Sequence, residues 1–188
     1  MKQSWVHMAG MILLGGLLVG CAGTRRGESP CPSWFEKVPE DPEFVYAPAT
    51  ATSKDLQLAI NKAKTEGRTE LASQLEVRMQ GLRKKFDEEV GLGADAELNA
   101  LYSQAVKEVI SQVLVGSRVS EQTTMQEEGI WRACVLMELP IGAANGALAA
   151  RIKANQAMYT RFRASQAFGE MEKEVDKYEA WKKEQGMP

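Results

Sequence analysis

Leu56, Ile60, Ala63, Leu71, Leu75, Met79, Leu82 and Phe86 recur at steps of three and four residues, with Gly67 in the one gap of the stripe. That spacing is the period of an α-helix with a single apolar face. It predicts one long amphipathic helix whose nearly continuous stripe needs a surface to cover it. Ser53 is a suitable N-cap and Asp55 falls in the first turn, where a negative charge is favoured. Gly67 costs such a helix about 1 kcal/mol relative to alanine, so it marks close packing or a kink.

The surface is expected from strands on either side. Phe44, Val45 and Tyr46 read as a short strand that can run on to Thr52. Gly91-Leu92-Gly93 breaks the chain after the long helix, and Asp95 caps a second helix bearing Leu98, Leu101, Tyr102, Ala105, Val109 and Ile110. Val113 to Thr124 reads as a strand with Val113, Val115 and Val119 on one face, followed by a turn at Gln126-Glu127-Glu128-Gly129. Ile130 to Leu139 is the next strand. Its Trp131, Ala133, Val135, Met137 and Leu139 alternate onto the face that meets the helices. Arg132, Cys134, Leu136 and Glu138 form a mixed face, expected to be at least partly wet.

After Pro140, residues 142–188 are read as one long C-terminal helix, with helix formers almost throughout 142–184. Leu148, Ile152, Tyr159 and Phe162 make one stripe, and Phe168, Met171, Val175 and Tyr178 make another. Glu170–Lys173, Glu174–Lys177 and Glu179–Lys183 stand at helix-pair spacing. A continuous helix of that length reaches roughly 60 Å, so it either projects toward a partner or folds back. The fold class is α+β: a small three-stranded antiparallel sheet, in the order strand-helix-helix-strand-strand-helix, with helices packed on one face.

The first residues limit function. Lys2 precedes an apolar stretch that ends Leu18-Val19-Gly20-Cys21. From Met8 to Gly20 the stretch is shorter than the roughly 20 residues a membrane-spanning helix needs, and has the proportions of a signal peptide. The closing tetrapeptide resembles the lipobox of bacterial lipoproteins. That resemblance implies cleavage between Gly20 and Cys21, and a diacylglyceryl group and an N-acyl chain on Cys21. Ala22 stands where an aspartate often marks inner-membrane retention, which favours the outer membrane, on its periplasmic face. Residues 21–33, small, polar and rich in Pro and Gly, form a tether.

Removing residues 1–20 takes away Lys2, the sole histidine His7 and no acid, leaving 22 Lys and Arg against 25 Asp and Glu. A slightly acidic chain lacks the concentrated basic face of a nucleic-acid binder. A mature chain without histidine excludes Ser-His-Asp chemistry and His-ligated zinc. No phosphate-binding glycine loop or nucleophile elbow is present. The acidic groups Glu40-Asp41-Glu43, Asp87-Glu88-Glu89 and Glu127-Glu128 lack the spacing of a calcium loop. Arg151, Lys153, Arg161 and Arg163 make a basic stretch that reads as solvated surface. No cofactor or metal is expected beyond the lipid. Cys31 and Cys134 can pair in an oxidising compartment, or Cys134 can be a small buried residue with Cys31 free; spacing does not choose between these.

From Pro32 to about Ile141 the chain resembles the Lpp-twenty family of outer-membrane lipoproteins, which includes FlgP-type flagellar lipoproteins. The likeness rests on Pro32-Ser33-Trp34-Phe35 and the proline-rich run that leads to the strand at Phe44–Tyr46. It rests also on Ala49 to Leu56 leading into Ala59 to Lys64 and Arg68 to Ala72, and on Trp131 in the later strand pair. The resemblance implies a domain over residues 34–141 and a structural, non-enzymatic role in the cell envelope, with a flagellar association as one form of it. Phe168, Met171, Val175 and Tyr178 are the expected contact with a second copy or an envelope partner. The alternative is a periplasmic module that recruits or activates a cell-wall enzyme.

Overall fold

A computed structural model describes residues 29–186 of the 188. Three strands set its frame: β1 (Phe44–Ser53), β2 (Arg118–Glu127) and β3 (Ile130–Pro140). They form one antiparallel sheet in the order β1-β3-β2. Among the described residues there are also six α-helices, α1 (Ser33–Glu36), α2 (Leu56–Val90), α3 (Ala96–Leu114), α4 (Ile141–Ala154), α5 (Gln156–Phe162) and α6 (Gln166–Glu184), and a 3-10 turn at Leu92–Ala94. The fold is α+β, as the residue pattern predicts.

The long helix is α2, 35 residues and so about 52 Å from end to end. It lies along β1 and β3. Its buried residues are Ala59, Ala63, Gly67, Leu71, Leu75, Met79 and Phe86, which is the predicted stripe from Ala63 onward; Leu56, Ile60 and Leu82 are half-buried, and Ala59 joins the buried side at the first turn. Gly67 occupies the point of closest approach. A Cβ there would stand 2.4 Å from Met137 Cγ and 3.5 Å from Ala49 Cβ, so the gap in the stripe is where the sheet's side chains pack directly on the helix backbone. The N-cap is Asp55, whose side chain accepts from the Leu58 amide at 2.7 Å. Ser53 instead accepts from the Asp55 amide and shapes the approach to the helix.

Beyond the sheet, α3 turns back beside α2. The Tyr102 hydroxyl donates to Met79 O at 3.1 Å, and burial pushes its pKa well above the usual phenol range. Phe86 stacks on Phe162 at 4.5 Å between ring centroids, with Tyr102 edge-on to both. Two elements differ from the sequence reading. Val113 to Ser117 is not strand: α3 runs on to Leu114, Val113 is a buried helix residue, and Val115 is 85% exposed. Two β-branched residues there mimic a strand, but Val109 and Val113 continue the four-residue spacing of the helix, and the chain turns only at Gly116.

The second difference is in the C-terminal region, which is three helices rather than one. Asn155 is extended and its side chain accepts from the Met158 amide at 3.0 Å, which starts α5. Ser165 accepts from the Phe168 amide at 3.2 Å and starts α6. These two N-caps let the chain reverse, so that α6 returns antiparallel along α4. The approach is very close: a Cβ on Gly142 would meet Tyr178 Cβ at 2.1 Å.

The glycines make a direct test of this packing. Gly142→Ala is expected to lower stability by about 1–3 kcal/mol, because it forces Tyr178 and α6 away from α4. Gly81→Ala meets nothing within 4 Å on the same long helix and is expected to raise stability by about 0.5–1 kcal/mol. Urea unfolding of both variants checks the pair; equal effects would mean that α6 is not docked as described.

Candidate functional site

Residues 133–139 of β3 are buried in unbroken succession. One face of the strand meets α2, as Met137 against Gly67 shows. The other face carries Cys134, Leu136 and Glu138, all below a tenth exposed, and so is drier than its mixed composition predicts. The difference arises from the N-terminal segment. Cys31 is bonded to Cys134, with 5.8 Å between their Cα atoms and a sequence separation of 103. The bond lays the segment that begins at Ser29 across the sheet, and α1 follows directly against β1 and β3. Both cysteines are buried. Thr50, opposite Cys134 on β1, donates to Ala133 O at 2.9 Å and completes the polar side of this seam.

Glu138 lies farther along the same face. It is paired with Arg118 on β2, its direct cross-strand neighbour. The arginine side chain stays more than half exposed while the glutamate is buried. A buried carboxylate without that guanidinium would be costly. Tyr46 stands opposite Glu138 on β1. Burial, then the negative charges of Glu138 and Asp41, push its phenol above the ordinary range, with Arg118 acting in the other direction. Phe44 lies 6.0 Å from Tyr46 and 5.5 Å from Trp181, which stacks on Tyr178. Strand β1 and helix α6 are thus joined by an aromatic row.

The stripe expected to meet a partner packs within the chain, Phe168 and Met171 fully and Val175 and Tyr178 in part. Phe168 and Met171 are buried. Val175 packs toward Gly146 and Tyr178 against Gly142. The charged face of α6 is likewise committed: Lys85 to Glu170 at 3.0 Å, Arg78 to Glu174 at 3.7 Å, and Lys153 to Glu172 at 2.7 Å all cross between helices. Sequence spacing suggested pairs within the helix because it cannot see a neighbouring helix at the same height. Among the described residues, only the Lys182–Glu179 pair is of that local kind.

Other predicted clusters are distributed in the same way. Arg151 pairs with Glu108, and Arg161 donates to Val90 O. Glu89 accepts from the Ala167 amide near the start of α6, and Asp41 from the Glu43 amide. Among the described residues, no group of three or more His, Cys, Asp or Glu is arranged to hold a metal ion. No described helix is long and apolar enough to cross a membrane. Gly20 and Cys21 lie outside the described residues. No family model matches the chain, and no curated protein matches it.

The seam gives a measurable consequence. Cys31→Ala opens a loop of about one hundred residues and is expected to cost about 2–4 kcal/mol in urea unfolding. Limited proteolysis of the variant should cut within residues 32–43 and leave 44–184 intact. Unchanged unfolding and cleavage would show that α1 holds the sheet without the bond.

Proposed function

We propose that this chain is a lipid-anchored scaffold protein of the bacterial envelope, held at the outer membrane through acyl chains on Cys21. The observation that carries the proposal is Leu18-Val19-Gly20-Cys21 at the end of an apolar leader. The seam supports it by making a short tether useful. Cys31 stands ten positions after Cys21, a reach of at most about 35 Å. Were Phe44 the first fixed residue, the reach would be about 80 Å. The bond therefore holds the domain near the bilayer, with the Cys134 face of the sheet as the attachment side. A disulfide of this kind also suits an oxidising compartment such as the periplasm.

A scaffold role fits the distribution of chemistry in the domain. Lys85, Arg78, Lys153 and Arg151 join helices through Glu170, Glu174, Glu172 and Glu108, Arg118 and Glu138 join two strands, and the apolar stripes are used in packing. A flagellar association is one form of this reading, and rests on the resemblance to Lpp-twenty proteins.

Cys21→Ser tests the anchor. The native chain is expected in the membrane pellet, with the mass of three acyl chains on its N-terminal peptide. The variant is expected to carry no acyl mass, to keep its leader and to leave the outer-membrane fraction. A native chain that is soluble and unmodified would overturn the proposal.

A further inference from the structure

The sheet has two edges, and they are treated differently. β1 carries Pro48 at its middle, which has no N–H to offer, and Gln74 Nε2 already donates to Tyr46 O at 3.2 Å. Helix α2 lies along it as well. The other edge, β2, contains neither proline nor glycine, and none of its ten residues is buried. Its ladder partner is β3, so its far side presents a row of backbone groups that can pair with another strand.

We propose that β2 is a self-complementary edge through which two copies of this chain join their sheets, β2 against β2, antiparallel about a two-fold axis at Thr123. The argument is one of register. Val119 stands opposite Met137 and Glu121 opposite Leu136, so Ser120 is bulged out and does not count as a ladder position. With Thr123 facing Thr123 of the second copy, Gln122 then faces Thr124, Glu121 faces Met125 and Val119 faces Gln126. Arg118 faces Glu127 at both ends. The full strand overlaps, each facing pair shares one side of the sheet, and both charge pairs attract.

Neighbouring registers are worse. A shift of one position sets facing side chains on opposite sides of the sheet. Centring on Gln122 loses both charge pairs, and centring on Thr124 sets Glu121 against Glu127. The Arg118 side chain is 57% exposed, which leaves room for a second carboxylate beside Glu138. The contact is isologous and closes at two copies.

A single strand pair is small beside the roughly 1,200–2,000 Å² of a stable complex. The dimer therefore depends on high local concentration, which confinement to a bilayer supplies; this part rests on the anchor proposed above. Lipidated chain in its native membrane is the material for the test. With Cys21 acylated and Cys31 bonded to Cys134, Gln122→Cys adds the single free thiol. The two copies' introduced thiols then lie diagonally, about 7–8 Å apart by backbone spacing.

A short bis-maleimide is expected to yield a product of twice the chain mass from Gln122→Cys, and none from Val77→Cys, which is exposed on α2. Adding Glu127→Arg should cut the yield roughly tenfold, as two attractive cross-strand pairs become repulsive. No dimer from Gln122→Cys, equal yield from Val77→Cys, or a product of another mass would overturn the pairing. A dimer from the wild-type chain would instead reveal a free Cys21 and sink the anchor. The same variants made with Cys21→Ser at raised protein concentration then decide the pairing by the same criterion.

Discussion

A central strand that is dry on both sides governs the rest of the molecule. β3 is flanked by β1 and β2, so its backbone groups pair within the sheet. Its side chains then need two covers. α2 supplies one, approaching so closely at Gly67 that no side chain fits there. The N-terminal segment supplies the other, and a four-residue helix is too small to hold such a cover by apolar contact alone. The Cys31–Cys134 bond supplies the missing attachment.

This arrangement joins placement to folding. The residues that cover the second face are also the end of the tether, so fixing the sheet fixes the distance to whatever holds the N-terminus. The carboxyl end of the chain is used for packing rather than reach. α6 is drawn back onto α4 by the small residues Gly142 and Gly146, and its charges are matched to α2 and α4. What stays open is β2, at the edge away from β1.

Much of the fold was legible because burial there follows simple periods. The stripe on α2 is a one-sided pattern, the alternation on β3 picks out the face that meets α2, and Asp95 is an unambiguous cap for α3. The misreadings have physical causes. Val113 and Val115 favour a strand locally, but tertiary packing of Val113 extends the helix. Helix formers run through Asn155 and Ser165, so composition hides two breaks that only their side-chain caps reveal. Residues Arg132, Cys134, Leu136 and Glu138 look like a wet face because the cover comes from a distant segment. The pairing of Cys31 with Cys134 was open in the sequence, since a separation of 103 residues carries no distance. The stripe at Phe168, Met171, Val175 and Tyr178 was visible, but a stripe does not say whether its partner lies in the same chain.

Hydrogen exchange of the full chain, oxidised and then reduced, is the most direct measurement of the central claim. The account predicts slowest exchange at Val135–Leu139 in the oxidised chain. On reduction, protection should fall in residues 32–43 and at the centre of β3, with α4 and α6 unchanged. Equal protection of residues 32–43 in both states would contradict the claim that the Cys31–Cys134 bond holds the second cover on the sheet.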